Sequence, residues 1–363
     1  MHPAPPKHPH TNARIRNPQP VPHSQRKPTS FDIAYLAGVS QPTVSRALRG
    51  SPTVSEETRK RIEAIAQQLN YKVDKNASNL RSQQSNTLAL LFFEDPTPDD
   101  SMINPFFLSM LGSITRTCAN RGYDLLISFQ QLSSNWHVDY EDSRKADGVI
   151  LLGYGDYEEY RARLDQLVAQ GTHFVRWGEA GIGPQGSTLG CDNHQGGLEV
   201  TRHLVASGRR RIAFVGEANS HYPEFFDRYK GYAAALEEAG LAVEPDLQIG
   251  GLNTEDEGHA AVGILREKGV TFDAVFAASD TIAIGVLRAL QEAGLSVPGD
   301  VAIAGFDDIP AAQLTTPPLT TFRQNAGKAG EMLVDMLLKR VRNEPVENQM
   351  LPGELIVRKS TGG

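Results

Sequence analysis

From residue 87 onward, short and nearly unbroken apolar runs alternate with longer amphipathic segments. No other feature of the sequence restricts the fold as much. The runs are TLALLFF (87–93), YDLLISF (123–129), DGVILLG (147–153), HFVRWG (173–178), RIAFVGE (211–217), DAVFAAS (273–279) and VAIAGFDD (301–308). Helical periodicity follows at about 106–120, 157–170, 196–207, 226–239, 256–268, 281–293 and 326–342. A strand with no polar alternation has both faces buried, so these runs predict parallel sheets covered by helices on each side. More than 270 residues of this pattern (87–363) exceed one such sheet, so two doubly wound lobes are expected. Ligands of such folds bind at the carboxyl ends of the strands.

The rhythm before residue 87 is different. Residues 29–70 predict three short helices. The first is FDIAYLA (31–37), with Ile33, Ala34, Leu36 and Ala37 turned inward. Gly38 supplies a left-handed turn, and Ser40 caps a second helix from Gln41 to about Arg49, with Val44, Ala47 and Leu48 inward. The third starts after Ser55, carries Glu56 and Glu57 in its first turn, and runs to Asn70 with an Ile62, Ile65, Ala66 and Leu69 stripe. Residues 72–86 are polar and read as a linker. Residues 1–28 are rich in proline and histidine, have almost nothing apolar to bury, and read as a disordered basic tail.

Charge divides the chain in the same place. Residues 1–28 hold five Lys/Arg and no Asp/Glu, and residues 29–86 hold eight against five. With a total of −7, the first 86 residues are +8 and the remainder −15. A basic head on an acidic body fits a nucleic-acid-binding module joined to a module of another kind. The sequence has no apolar run long enough to span a membrane and no apolar signal-peptide core, which points to the cytoplasm. The two cysteines, Cys118 and Cys191, suit a reducing compartment and have no metal-type spacing. His2, His8, His10 and His23 are irregularly spaced, and no metal or cofactor is expected.

The stretch VSQPTVSRAL (39–48) carries the first chemistry. A helix, a short turn containing glycine and a second short helix make a helix-turn-helix, whose second helix enters the major groove by its N-terminal end. Gln41, Thr43, Ser45 and Arg46 are polar there, whereas Val44, Ala47 and Leu48 can pack. Gln can pair with adenine and Arg with guanine in bidentate geometry. Pro42 sits in the first turn, where a missing amide proton costs little, and its ring can touch a thymine methyl. A plain pair of surface helices would share part of this pattern.

Residues 29–71, with their AGVS…TVSRAL core and VSEETRKRI helix, closely resemble the DNA-binding domain of the lactose-repressor (LacI/GalR) family. The resemblance continues through NPFF (104–107), CDNHQGG (191–197), RYKGYAAAL (228–236), FAASDTIAIG (276–285), VAIAGFDDIP (301–310) and PPLTTFRQ (317–324). It implies an N-terminal all-α helix-turn-helix domain plus an α/β periplasmic-binding-protein-like body of two doubly wound parallel-sheet lobes. It implies a cytoplasmic homodimer that binds a palindromic double-stranded DNA operator under the control of a small effector, most readily a mono- or oligosaccharide. By family position, Gln41, Pro42 and Arg46 read bases, with Ser40 and Thr43 beside them. Ser45, Ser55, Asn70 and Tyr71 meet the DNA backbone, where contacts set register without reading sequence. The linker of the family folds as a hinge helix on DNA, and Leu80, next to Ala77, matches its minor-groove wedge. Val73-Asp74 stands where the family usually has Pro-Asn, which places a negative charge near phosphates.

In the body, the resemblance assigns effector contacts to Asn104, Phe106, Arg228, Ser279, Asp280, Asp307 and Gln324, with Trp177, Asp192 and Trp136 as weaker candidates. Arg228 offers a fork of donors and Asp307 two acceptor oxygens, both suited to vicinal hydroxyls. Asp280 could instead cap the helix that follows it, and Phe106 could be core. The segment 130–146 is shorter than the family pattern. No phosphate-binding glycine loop, nucleophile elbow or metal-spaced cluster is present, so an enzyme is not expected. The alternatives are a regulator answering a purine or another non-sugar effector, an activator, or a soluble sugar-binding protein with no DNA role.

Overall fold

A computed structural model of the chain describes residues 27–71, 84–93, 103–153, 155–184 and 186–363. The chain divides into two compact units, Met1–Ser82 and Gln83–Gly363.

The first unit contains α1 (Ser30–Ala37), α2 (Gln41–Leu48) and α3 (Glu56–Gln68). Thr29 and Asp32 form a reciprocal capping box at the start of α1, and Gly38 ends it in the left-handed region at φ 65°. Ser40 and Ser55 cap α2 and α3 by accepting from the Thr43 and Thr58 amides. The three helices share a small core of Ile33, Ala34, Ala37, Val44, Ala47, Val54, Ile62 and Ala66, with Leu48, Ile65, Leu69 and Tyr71 packed at its margin. Two expectations need correction. Leu36 is 57% exposed, because it lies about 100° around the helix from the centre of the Ile33–Ala34–Ala37 stripe. The third helix stops at Gln68, and Asn70 takes φ 50°, which turns the chain away.

The second unit holds two six-stranded sheets. The first sheet runs β2 (Asp124–Phe129), β1 (Thr87–Phe92), β3 (Val149–Leu152), β4 (Phe174–Trp177), β5 (Thr188–Cys191), β11 (Gln349–Leu351). The second runs β7 (Gln248–Ile249), β6 (Ile212–Val215), β8 (Ala274–Ala277), β9 (Ala302–Asp307), β10 (Thr320–Arg323), β12 (Glu354–Ile356). Neighbouring strands are parallel except β10 and β12, as βαβ connections require. The covering helices are α4 (Pro105–Asn120), α5 (Tyr157–Ala169), α6 (Asn193–Ala206), α7 (Pro223–Glu238), α8 (Glu255–Glu267), α9 (Asp280–Glu292) and α10 (Ala326–Val341). The chain passes between lobes after β5, after β10 and after β11.

Strands β5, β7, β10, β11 and β12 are absent from the sequence reading. They are two to four residues long, and TLGC, TTFR and ELI carry too little apolar signal to register. Strand β2 departs from double-sided burial. It is a sheet edge, and its Leu126 and Ile127 are 36% and 49% exposed.

Candidate functional site

The first unit presents the N-terminal half of α2 as its polar surface. Val44 and Ala47 are buried while Pro42 and Arg46, one turn apart, are exposed. The Gln41 side chain donates to the Ser30 hydroxyl at 3.2 Å, which ties the first residue of α2 to the start of α1. The Ser40 and Thr43 hydroxyls are 2.8 Å apart. Arg49 reaches back to Ser45, donating to its carbonyl at 3.0 Å and its hydroxyl at 2.8 Å. This face offers an amide, a ring and a guanidinium on a rigid two-turn rod, with no acidic side chain on α2. The Ser55 hydroxyl is occupied as a cap, Tyr71 is half-buried, and Asn70 is exposed. Ala77 and Leu80, with the rest of 72–83, lie outside the described residues.

In the second unit, a cavity of about 460 Å³ opens between the carboxyl ends of the two sheets. The first lobe lines it with Phe93, Gln130, Tyr160 and Arg163, and the second with Tyr222, Phe225 and Asn253. A smaller space of about 20 Å³ beneath it is lined by Trp177 and Glu224 and shares Phe93 and Tyr160 with it. Gln130 is anchored by its own amide nitrogen, which donates to the Leu91 and Leu152 carbonyls at 3.1 and 3.2 Å. Its Oε1, like Asn253 Nδ2, is buried with no hydrogen-bond partner among the described residues. Unpaired buried amides beside a cavity are costly unless something else satisfies them.

A polar network lies behind this cavity. Arg228 is fully buried, donates to Asn193 Oδ1 at 2.9 Å and to the Ala278 carbonyl, and stands 3.8 Å from Asp307 Oδ1. Its guanidinium stacks 3.8 Å over Phe306 and 5.1 Å from Phe225. Gln324 donates to Asp307 at 2.6 Å. Asp307 itself is held at φ 111°, a conformation that costs a non-glycine residue about 1–3 kcal/mol. Burial pushes its carboxyl up to about 6, against the opposing pull of Arg228 and Gln324. Asn193 also donates to Glu179 at 3.1 Å, and the Glu179 amide donates to Glu224 at 3.1 Å. Burial, and then the nearby Asp227, raise Glu179 to about 7.

Close backbone contact places these groups. A Cβ on Gly197 would lie 2.1 Å from the Arg228 carbonyl oxygen, and one on Gly231 would lie 2.1 Å from that of His194. Two glycines therefore let α6 and α7 touch, which brings Asn193 at the start of one helix against Arg228 on the other.

This architecture has known counterparts. The profile of bacterial regulatory proteins of the lacI family matches residues 31–74, and that of the periplasmic binding protein-like domain matches residues 201–361. The ribose operon repressor of Escherichia coli K12 is 30% identical over 330 residues, which are 89% of this chain and 96% of that one. The chain belongs to the LacI family. Among solved structures, a transcriptional regulator CelR–cellobiose complex is 30% identical with a TM-score of 0.67, covering 92% of this chain and 99% of its own. A lac repressor dimer bound to operator and the anti-inducer ONPF is 24% identical, covers 93% and 99%, and shares the fold at a TM-score of 0.79. As a LacI-family member the chain is a DNA-binding transcriptional regulator. No helix among the described residues is long and apolar enough to cross a membrane.

The LacI-family body places the expected effector residues unevenly. Arg228, Asp307 and Gln324 come together. Ser279 is buried and donates to Asn253, so it stands one hydrogen bond behind the cavity. Trp177 lines the inner space. Four of the expected residues are not among those lining the cavity or the space beneath it. Asn104 caps α4, accepting from the Phe106 amide at 2.8 Å. Phe106 is core, 5.7 Å from the Trp177 ring. Asp192 caps α6 through the Gln195 amide at 2.9 Å. Asp280 neither caps its helix, which Ser279 does, nor faces the cavity. It is wholly buried, accepts from the Ile309 amide at 2.9 Å, and is raised well above the usual carboxylate range by burial and then by Asp307. Trp136 is also buried, and its indole donates to the Gln130 carbonyl at 3.1 Å, so it positions a lining residue. The lining residues Gln130, Tyr160, Arg163, Tyr222 and Asn253 escape sequence reasoning. They sit in loops or on helix faces that converge only in the folded lobes.

Proposed function

We propose that this chain is a homodimeric, cytoplasmic repressor of sugar-utilisation genes whose operator affinity is set by a mono- or oligosaccharide in the interlobe cavity. The observation that carries the sugar reading is the pairing of aromatic walls (Phe93, Tyr160, Tyr222, Phe225) with Gln130 Oε1 and Asn253 Nδ2, which have no partner among the described residues. A sugar has apolar ring faces for the former and hydroxyls, which both donate and accept, for the latter. The volume of about 460 Å³ is in the range for small-molecule sites. The cellobiose complex of CelR, a 30% identical relative by structure, supports the same class of ligand. Arg228, Asp307, Gln324 and Ser279 hold the lining in place from behind, and Trp177 closes the floor.

On the DNA side, Gln41, Pro42 and Arg46 read base edges. Ser40, Thr43, Ser45, Ser55, Asn70 and Tyr71 set register, and Leu80 with Ala77 serves the central minor groove. The ribose operon repressor, as a relative, supports repression over activation. A gel shift with the native upstream DNA, with and without a sugar panel including cellobiose and ribose, tests the whole reading. One sugar is expected to change operator affinity, and Arg46→Ala is expected to lose about 1–3 kcal/mol of discrimination at one base pair of each half-site. A chain that forms no sequence-specific complex under any condition ends the proposal.

A further inference from the structure

At the rim of the cavity a histidine joins the two lobes. His221 lies on the loop between β6 and α7 in the second lobe, and Asp156 lies on the loop between β3 and α5 in the first. The His221 ring nitrogen Nδ1 is 2.8 Å from Asp156 Oδ2 and 2.9 Å from Oδ1. The next amide along, Tyr157 N–H, donates to the His221 carbonyl at 2.8 Å. Asp156 is at the same time the cap of α5, accepting from the Glu158 amide at 2.9 Å. On the other side, the His221 amide donates to Asn219 at 3.0 Å, and Asn219 donates to Glu217 at 2.8 Å. Asp156 and Tyr222, the immediate neighbours of this contact, both line the cavity. We infer that Asp156 and His221 form a proton-dependent clasp that holds the lobes closed over the effector cavity.

Among the described residues, the charged groups that act on the ring are acidic: Asp156 first, then Glu158 and Glu159. They raise the His221 pKa above its ordinary value. Burial raises the Asp156 carboxyl, but the His221 ring and the Glu159 and Glu158 amides together outweigh it and leave it lowered from its ordinary value. A proton on His221 therefore favours the closed arrangement. The clasp is fully made below the ordinary histidine range and is lost as pH rises through the raised value. It lies within the cavity reading above, so effector affinity is expected to fall between pH 6 and pH 8.5. A half-exposed pair of this kind is worth about a two- to fivefold change.

Two measurements on the full chain test it. Double electron–electron resonance between nitroxides at Asp165→Cys and Glu237→Cys reads lobe separation without any effector. A distance that lengthens from pH 6 to pH 8.5, and loses that dependence in His221→Gln and in Asp156→Asn, supports the clasp. A distance indifferent to pH, or one with the same pH dependence in His221→Gln, overturns it. Calorimetry with cellobiose and the other panel sugars reads affinity over the same range. Burial raises Glu179 to about 7 and Asp307 to about 6, so both can add to the pH dependence, and the decisive quantity is the part lost in both variants and not lost further in the double variant. Unequal losses that simply add overturn the clasp. Absence of any sugar binding at all pH values ends the sugar reading, while the distance measurement still decides the clasp.

Discussion

Arg228 shows how one side chain can hold a site without lining it. A guanidinium with no solvent exposure survives because Asn193, the Ala278 carbonyl, Asp307 and two aromatic faces replace its water. Removing one partner of a buried ion pair typically costs 3–5 kcal/mol, since the other charge is left uncompensated. Asp307, already raised to about 6, can take a proton when the arginine goes. Arg228→Leu is therefore expected to cost about 3 kcal/mol, the lower end of that range, in urea unfolding. It is also expected to abolish the effector response in the gel shift, with specific DNA binding retained. The chemistry of Arg228 and Asp307 was legible in the sequence. Their burial was not, because Phe225 of α7 and Phe306 of β9 close around the guanidinium only once those two elements pack together.

At the scale of elements, the meeting of α6 and α7 sets the site. Gly197 and Gly231 read in the sequence only as small residues in two helices. In the fold they are the points where one backbone touches the other. A methyl group at Gly197 would have to displace the Arg228 carbonyl, and such overpacking costs about 1–3 kcal/mol. Gly197→Ala is expected to lower the thermal midpoint and to weaken sugar binding more than its stability loss accounts for, because the shift parts Asn193 from Arg228. Titration of the purified variant at a temperature where it remains folded checks this. In the first unit the caps Ser40 and Ser55 and the turn at Gly38 were readable in advance, since each depends on neighbours within four residues. The inward face of Leu36 was misjudged for the opposite reason: which side of an eight-residue helix is covered depends on where α2 and α3 lie.

Over the whole molecule, buried carboxylates link stability to pH. Glu179 is raised to about 7, so between roughly pH 4.5 and pH 7 the folded chain holds more protons than the unfolded one. Stability contributed at this position is present below that window and is lost as pH rises through it. Glu179→Gln is expected to be more stable than the parent at pH 8 by about 2 kcal/mol, with the difference shrinking toward pH 5. Denaturant melts at the two pH values measure it. An equal offset at both would assign the effect to packing rather than to charge.

The sequence alone determined the division into a basic helical head and an acidic α/β body, the parallel sheets, the recognition helix and its polar face. These follow from local periodicity, capping and charge, which act between residues close together in the chain. Tertiary structure decided the rest. It gave Asp192 and Asn104 capping bonds and Asp280 a buried anchoring one. It also built the cavity wall from Gln130, Tyr160, Tyr222 and Asn253, and set Asp156 against His221 across 65 positions of sequence. These outcomes depend on how two sheets and their loops close on each other, and contacts between distant residues carry no period or motif for a sequence to display.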